Sequence, residues 1–262
     1  MKTANLRISE EARIYKPHLS FTWETHRYLF STAQTFLELR EVLNFRTYFF
    51  LTSKGLNTKM AYDFDDFDLT YDHIIMKDKK ENKIIGVCRL APSLYCHSFY
   101  TATEFDITPL LKISANTLEI GRVCTHPSVR NTNSILYLWK AVLKYASLIG
   151  TQYIFGCINI NDPKGEDILT IQRALYVHGL ANPEFHIVPK ENYRRYLENE
   201  KYFDHFKNVT FDLRKLLPSI FYSYLRFGIK LNLEPAYDPT FNTADFFATL
   251  HVKQFKDWLR LK

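Results

Sequence analysis

The sequence predicts a mixed α/β fold, and three patterns indicate it. An apolar hairpin comes first, a strand–helix–strand succession over residues 118–160 follows, and a further helix comes after that. Because two strands joined through a helix run parallel in the same sheet, we expect one parallel pair with a right-handed crossover beside the antiparallel hairpin.

The first half of the chain is expected to contain a helix, a loop and the hairpin. Apolar residues at helical spacing over residues 33–50 predict an amphipathic helix, which also carries Arg46. The acidic and aromatic segment Met60–Tyr71 is expected to be a loop. The segments His73–Asp78 and Ile84–Ser93 are joined by a charged turn, which predicts a β-hairpin.

The second half alternates helices with strands. A short helix is expected to begin near Pro109, with Asp106 or Thr108 as its cap. The further predicted elements are, in chain order, the strand Leu118–Thr125, the helix Ser134–Leu148, the buried strand Thr151–Ile160, a helix over residues 165–180, a helix at Leu217–Leu231 and a strand near Ala244–Val252.

The composition fits a large α/β domain in a reducing compartment. The chain has 262 residues, of which 46% are hydrophobic and 16% aromatic, enough for a sizeable core. The aromatic content equally fits an apolar tunnel or a surface in contact with lipid. The four cysteines form no C-x-x-C pair, which argues against zinc. No signal peptide and no bilayer-spanning run is visible, so we expect a cytoplasmic protein, soluble or peripheral on the inner membrane.

The charge favours anionic partners. The formal net charge is +6 and the pI is about 9.0, which suits an acidic protein, an anionic membrane surface or nucleic acid. Neither a dense Lys/Arg cluster nor a nucleic-acid-binding motif accompanies this charge, so nucleic acid is not expected.

One strand carries a motif that resembles a known family. Glu119, Gly121 and Arg122, followed by His126-Pro127, resemble the fourth strand of GNAT-type acyltransferases. Further ordered segments resemble the branch that contains ornithine-lipid and N-acyl-amino-acid synthases, over roughly residues 25–255: Asp63–Asp68, Asp72-His73, Gly86–Leu90, Phe99-Tyr100, Glu104–Asp106, Leu138-Trp139, Phe155–Cys157, Leu217-Pro218, Tyr224–Gly228, Pro235–Asp238 and Phe241–Asp245. A weaker similarity to acyl-homoserine-lactone synthases rests on Arg46, Asp65, Asp68, Arg89, Glu119 and Arg122.

The resemblance implies a fold and an activity. The fold is a GNAT-like mixed, mostly antiparallel central sheet with a parallel, splayed strand pair, flanked by helices. Residues 1–24 are an N-terminal extension, and residues 25–262 are one acyltransferase domain with a family-specific segment from about residue 190. The implied reaction moves a long-chain fatty acyl group, with or without a 3-hydroxyl, from acyl carrier protein to the α-amine of an amino acid such as ornithine. It requires no metal or redox cofactor.

The segment after the motif strand departs from the GNAT pattern. Members of that group carry a glycine-rich loop there, whose backbone amides bind coenzyme A pyrophosphate. Residues 128–134 contain no glycine. We expect Arg130, Asn131, Asn133 and Ser134 to bind the single phosphate of a phosphopantetheine arm, which favours acyl carrier protein over coenzyme A as the donor.

Glu119 is the candidate general base that deprotonates the acceptor amine, directly or through water. The alternative is an ion pair with a nearby arginine, and both interpretations stay open. Arg122, also a candidate catalytic residue, lies three residues further, hence on the opposite face of an ideal strand unless a bulge intervenes.

The end of the same strand supplies further candidates. His126 is a candidate acid or base, or a hydrogen-bonded structural residue. Backbone amides near Val123, Cys124 and Thr125 are expected to stabilise the thioester oxygen as charge develops on it. Cys124 itself is expected to pack in the core rather than act as a nucleophile.

The acidic segment offers a binding site for the acceptor. Asp63, Asp65 and Asp68 are candidates for holding its amine or cationic side chain, and a solvated acidic loop is the alternative. Arg89 lies inside an apolar strand, so we expect it to pair with Asp65 or Asp68 as a brace, with a clamp on the substrate carboxylate as the alternative. Arg46 is a further candidate for binding the substrate, together with these residues.

Two rival functions remain open at this point. One is an acyl-homoserine-lactone-type synthase that uses S-adenosylmethionine, and the other is a non-catalytic module that binds an acyl chain or a membrane. The segment Leu217–Leu231 is either an interfacial element or a packed helix.

Overall fold

The computed structural model describes residues 15–50, 62–129, 134–161, 163–182, 184–195, 208–225, 227–239 and 242–255. These residues contain nine strands in a mixed, mostly antiparallel arrangement with one parallel pair, flanked by helices. The predicted fold class is therefore confirmed. The described residues form two compact units, one from the segments up to His97 and Ile120–Gly150, the other from Ser98–Glu119 and the segments from Thr151 onward. The expected single-domain organisation stays a prediction.

Six α-helices and nine strands are labelled in the described segments. In chain order they are β1 (Thr22–Glu24), β2 (Tyr28–Thr32), α1 (Phe36–Phe50), β3 (Asp72–Asp78), β4 (Lys83–Pro92), α2 (Thr108–Ile113), β5 (Thr117–Thr125), α3 (Ser134–Leu148), β6 (Tyr153–Asn161), α4 (Gly165–Val177), α5 (Leu213–Leu216), α6 (Ser219–Leu225), β7 (Lys230–Leu231), β8 (Ala236–Asp238) and β9 (Thr243–His251).

In the first unit, β1 to β4 pair consecutively as antiparallel neighbours. The predicted hairpin is confirmed as β3–β4. Its charged turn forms because the Asp78 carboxylate accepts the backbone N–H groups of Lys80 and Glu81, while Asn82 takes a left-handed φ of +50°. The strands β1 and β2 were not predicted, because they are short and their stability comes from pairing.

Helix α1 is amphipathic, as its spacing predicts. Its buried side chains recur at intervals of three and four residues: Leu39, Val42, Leu43, Arg46 and Phe49. The apolar ones pack in one core cluster with Ile75, Val87 and Cys124. The same periodicity thus brings the charged side chain of Arg46 to the interior face of the helix.

Asp72, at the start of β3, ties three segments of the first unit together. Its fully buried carboxylate accepts the backbone N–H of His18 at 2.7 Å and that of Leu19 at 3.0 Å. It also accepts the hydroxyl of Tyr145, in α3, at 2.7 Å. The residues before β1 are therefore held against β3 by hydrogen bonds to a buried charge.

In the second unit, the parallel pair is β5 with β6, in register from Thr117 opposite Tyr153 to Glu119 opposite Phe155. Strand β9 runs antiparallel along the whole of β6, and β7 and β8 both pair with β9. Aromatic rings fill this core, where Phe155 contacts both Phe99 and Phe247.

Two predicted elements differ from the structure. The expected loop Met60–Tyr71 contains a 3-10 helix at Asp66–Leu69, which forms because the Asp65 N–H donates to the Asp68 carboxylate at 3.0 Å. The expected helix Leu217–Leu231 ends at Leu225, because Gly228 turns the chain with a φ of +86°. Phe221 of α6 is fully buried against Phe246, which favours the packed alternative for this segment.

A membrane crossing needs about 20 apolar residues in a helix. None of the helices in the described segments has the length and apolar character for that.

Candidate functional site

Three arginines and three aspartates that the sequence marked as candidates meet in the first unit. Arg46 projects from α1 with an exposed fraction of 1%. Its Nε donates to Asp63 at 2.7 Å, and its Nη1 donates to Asp68 at 2.6 Å. The charge carried on the apolar face of α1 is thus paired on both sides, as a buried charge requires.

The network continues through Arg89 of β4. Its Nη1 donates to Asp65 at 2.5 Å and to Asp68 at 2.8 Å, so the pairing expected for an arginine in an apolar strand is present. Arg122 of β5 adds a bond from its Nη2 to Asp65 at 3.1 Å. We name these six residues, Arg46, Asp63, Asp65, Asp68, Arg89 and Arg122, the Arg–Asp network.

Burial and charge act in opposite directions on Asp68, at the centre of the network. Burial raises the pKa of its carboxyl, but the guanidinium groups of Arg46 and Arg89 outweigh this effect and hold the pKa well below its usual range. Asp65 and Arg122 keep about a quarter of their side chains exposed, at 24% and 22%, whereas Arg46, Asp68 and Arg89 are buried. Within this network, therefore, Asp65 and Arg122 are the members best placed to meet a ligand.

His73 lies beside the network in β3. Its Nε2 lies 3.0 Å from the carbonyl oxygen of Asp68, and since a carbonyl only accepts, Nε2 carries the proton. Burial lowers the pKa of His73 to about 4, despite the opposing charge of Asp68. The imidazole is therefore a neutral structural group at neutral pH.

The backbone of β5 is irregular at Arg122. Its φ of +50° lies in the left-handed region, which a non-glycine residue inside a strand rarely adopts. Such an irregularity re-aims a side chain relative to ideal alternation. This conformation is consistent with a bulge in β5, and with it Arg122 reaches Asp65.

Glu119 lies in the second unit with an exposed fraction of 3%. Its Oε2 accepts the backbone N–H of Tyr100 at 3.0 Å, and its Oε1 accepts that of Thr101 at 2.6 Å. These bonds fix the carboxylate at the start of the 3-10 helix Thr101–Thr103. Two backbone amides therefore hold the carboxylate in one orientation.

The remaining candidates of the first unit differ in exposure. The Nδ1 of His126 accepts the Ser128 N–H at 3.1 Å, and its ring meets Phe49 edge to face. Val123 and Thr125 are partly exposed, whereas Cys124 is buried in the core cluster, as expected.

Part of the candidate donor-binding segment lies outside the described residues. These are Arg130, Asn131 and Asn133. Ser134 is described and buried, and its hydroxyl donates to the Val129 carbonyl at 2.6 Å at the start of α3.

A group of buried carboxylates in the second unit is not predicted from the sequence. One carboxylate oxygen from each of Glu104, Asp238 and Asp245 lies within 4.8 Å of the other two, an arrangement that could hold a metal ion. Burial, together with Asp245 and Asp238, raises the pKa of Glu104 to about 9. All three residues belong to segments that carry the family resemblance, but their proximity depends on strand register and could not be read from the sequence.

Comparisons with known proteins agree with this fold. A family model described as acetyltransferase (GNAT) domain matches residues 43–140. The L-ornithine Nα-acyltransferase of Rhodobacter capsulatus is 27% identical over 205 residues, which cover 74% of this chain and 76% of that protein. The L-ornithine Nα-acyltransferase of Agrobacterium fabrum is 28% identical over 203 residues, which cover 72% and 67%.

A solved structure shares the fold. It is FeeM, an N-acyl amino acid synthase from uncultured soil microbes, with a TM-score of 0.51 at 11% identity, covering 88% of this chain and 93% of that one. Residues 43–140 thus match the GNAT acetyltransferase family model, and the chain as a whole is similar to L-ornithine Nα-acyltransferases.

Proposed function

We propose that this protein is an N-acyltransferase that moves a long-chain fatty acyl group from acyl carrier protein to the α-amine of ornithine or a related amino acid. The observation that carries the proposal is the similarity to two L-ornithine Nα-acyltransferases over nearly three quarters of the chain. The buried Glu119, held in one orientation by two backbone amides, supports it.

In the proposed reaction the neutral α-amine attacks the thioester carbonyl carbon. Glu119 accepts the amine proton, directly or through water, so that a neutral amide forms. The carbonyl oxygen becomes negative in the tetrahedral intermediate, and a backbone N–H near Val123, Cys124 or Thr125 stabilises it. The C–S bond then breaks, and the leaving thiolate takes up a proton.

The Arg–Asp network is proposed to support this chemistry rather than to perform it. Buried guanidinium and carboxylate groups that satisfy one another form a rigid unit, and Arg122 is attached to it through Asp65. We assign direct contact with a substrate to Asp65 and Arg122, the partly exposed members. The Ser128 N–H already donates to Nδ1 of His126. The other ring nitrogen, Nε2, is therefore the atom of His126 that could bind a substrate.

Acyl carrier protein is proposed as the donor because residues 128–134 contain no glycine and the net charge is +6. Acyl carrier proteins are acidic, so the charge favours their association. The product would be a lipid, which fits a cytoplasmic protein that works at an anionic membrane surface.

The test is thiol release from long-chain acyl carrier protein, with single amino acids added in turn and products identified by mass. We expect ornithine to trigger thiol release and an acyl-amide mass to appear, with lower kcat/KM when acyl-coenzyme A replaces the carrier. Release that depends on S-adenosylmethionine would indicate a lactone-type synthase. Binding of the acylated carrier without thiol release for any amine would contradict an enzymatic function.

A further inference from the structure

Lys190 is an exposed residue whose side chain reaches the turn that holds Glu119. Its Nζ donates to the Ala102 carbonyl oxygen at 2.5 Å. Ala102 lies in the 3-10 helix Thr101–Thr103, directly after the two backbone amides that donate to the Glu119 carboxylate. A positively charged group from a distant part of the chain therefore contacts the same turn that binds the candidate base.

Two peptide groups connect this ammonium with the carboxylate. The first consists of the Ala102 carbonyl, which accepts from the ammonium, and the Thr103 N–H, which donates to the Tyr100 carbonyl at 2.8 Å. The second consists of that Tyr100 carbonyl and the Thr101 N–H, which donates to Oε1 of Glu119 at 2.6 Å. We call this continuous series of hydrogen bonds the peptide relay.

The peptide relay is polarised in one direction. In each of its peptide groups the carbonyl accepts a bond and the N–H donates one, and hydrogen bonds in series strengthen one another. The series begins with a charge-assisted bond, which is stronger than a bond between neutral groups. The last N–H, on Thr101, is therefore a better donor to Glu119, and a hydrogen bond to the charged form of a carboxyl group favours that form.

A second donor acts on the middle of the relay. The Thr103 hydroxyl donates to the Tyr100 carbonyl at 2.6 Å, beside the bond from the backbone N–H of the same residue. Both lone pairs of that carbonyl are thus used, which further polarises the peptide group that ends at the Thr101 N–H. Because Thr103 is exposed, its hydroxyl can be removed without disturbing the core.

The backbone of Lys190 is held in place independently of its ammonium. Its N–H donates to the Glu104 carbonyl at 2.7 Å, and the Asp106 N–H donates to the Val188 carbonyl at 3.0 Å. Replacing the lysine side chain therefore removes a charge from the relay and leaves these backbone bonds intact.

Other titratable groups of the second unit lie near the Glu119 end of the relay. Burial raises the pKa of the Cys157 thiol, and the charges of Glu104, Asp245 and Glu119 raise it further, so this thiol is neutral. Burial and the neighbouring Asp245 raise the pKa of Glu104 to about 9, so Glu104 keeps its proton at neutral pH. The Asp245 carboxylate opposes further negative charge in this region, and a positive charge on the relay acts in the opposite direction.

Lys112 of α2 shares the surroundings of Lys190. Hydrogen bonds from Thr108 lower the pKa of the Asp106 carboxyl, and the charges of Lys112 and Lys190 lower it further. Lys112 is exposed, and among the described residues its ammonium makes no hydrogen bond to the relay. It therefore provides a control with the same charge, close to the same carboxylate and outside the series of bonds.

We propose that Lys190 is a positioning residue for Glu119, whose ammonium acts through the peptide relay to hold the carboxylate in place and keep it ionised. In the proposed function, on which this rests, Glu119 accepts the amine proton, and only the ionised carboxylate can do so. The relay would thus extend the working range of the base toward lower pH. Lys190 itself touches neither the substrate nor the reacting atoms.

The deciding measurement is the titration of Glu119 by NMR, in protein labelled with carbon-13 at the glutamate carboxyl groups, with Glu119→Gln assigning the signal. Lys190→Met should raise the midpoint of this titration by about half a pH unit, as for one screened charge that acts over a distance. Lys190→Arg keeps the charge and should restore the wild-type midpoint. Lys112→Met removes an equal charge outside the relay and should leave the midpoint unchanged.

Two further comparisons separate charge from structure. Because Lys190 is exposed, about 1 M salt should remove most of the difference between wild type and Lys190→Met. Thr103→Val changes no charge but removes the hydroxyl bond to the Tyr100 carbonyl, so it should raise the midpoint by a smaller amount, whereas Thr103→Ser should not.

The kinetic counterpart is the pH dependence of kcat/KM for thiol release. The acid limb of Lys190→Met should lie about half a pH unit above that of wild type, because the base loses its charge at a higher pH. A shifted NMR midpoint without thiol release from any acyl donor would support the relay and remove the proposed function.

Three outcomes would overturn the inference. Equal midpoints for wild type and Lys190→Met would show that the ammonium does not act on Glu119. An equal shift in Lys112→Met would show that charge acts through space rather than through the relay. A shift in Lys190→Met that salt does not reduce would indicate a structural rearrangement of the turn.

Discussion

Arg122 reaches Asp65 at 3.1 Å from a left-handed backbone, with a φ of +50°. The side chain that joins β5 to the Arg–Asp network therefore depends on a conformation that glycine adopts more readily than arginine. The ion pair requires arginine at position 122, whereas the left-handed backbone favours glycine. Substitutions at this position can separate the two effects.

Arg122→Gly and Arg122→Ala should differ in stability although both remove the guanidinium. Alanine at a left-handed φ costs about 1 kcal/mol more than glycine. We expect the alanine variant to have the lower free energy of unfolding by that amount, as measured in urea. Equal values for the two variants would show that position 122 relaxes to an ordinary strand conformation.

Arg46→Met should destabilise the protein strongly. It leaves Asp63 and Asp68 without the buried guanidinium that pairs with both, and breaking a buried pair costs about 3–5 kcal/mol. Chemical denaturation measures the change. Arg40→Met is the control on the exposed face of α1 and should stay within about 0.5 kcal/mol of wild type.

His73 should make stability depend on pH. Its pKa is about 4 in the folded protein and 6.5 ordinarily, so the unfolded chain binds the extra proton between these values. Stability is therefore lost as pH falls from about 6.5 to 4, by roughly 3 kcal/mol from this group.

The variant His73→Gln keeps a donor for the Asp68 carbonyl but does not titrate. Its free energy of unfolding should fall less than that of wild type between pH 7 and 4. His97→Gln, at an exposed position, should retain the wild-type slope. Identical slopes for wild type and His73→Gln would refute the buried, neutral imidazole.

Glu119→Gln should lower the rate of thiol release by about 100-fold or more if the carboxylate is the general base. One of the amides of Tyr100 and Thr101 would also lose its acceptor, so structure must be separated from catalysis. In Glu119→Ala, added formate should restore part of the rate. If formate has no effect while the variant remains folded, Glu119 holds the Tyr100–Thr101 turn and another group is the base.

The elements with strong local patterns were predictable. Helix α3 begins and ends at the predicted residues, Ser134 and Leu148, because one continuous apolar face defines it. The pairing of Arg89 was predictable because an unpaired charge in an apolar strand is costly.

Features that depend on long-range geometry were not predictable from the sequence. The short strand β8 exists only through pairing with β9, and the proximity of Asp238 to Asp245 follows from that register. The left-handed backbone at Arg122 also could not be predicted from the sequence, because glycine adopts this conformation most readily and the adjacent residue is Gly121.

The hydrogen bonds from His18 and Leu19 to Asp72 bear on how far the chain can be shortened. A protein that starts at residue 25 would retain every candidate catalytic side chain, yet it would lack β1 and both backbone donors to this carboxylate. Tyr145 alone would then face a buried negative charge, and the edge of β2 would be open to other molecules. Residues 18–24 are thus a minimum that any shorter version should keep if it is to stay monodisperse.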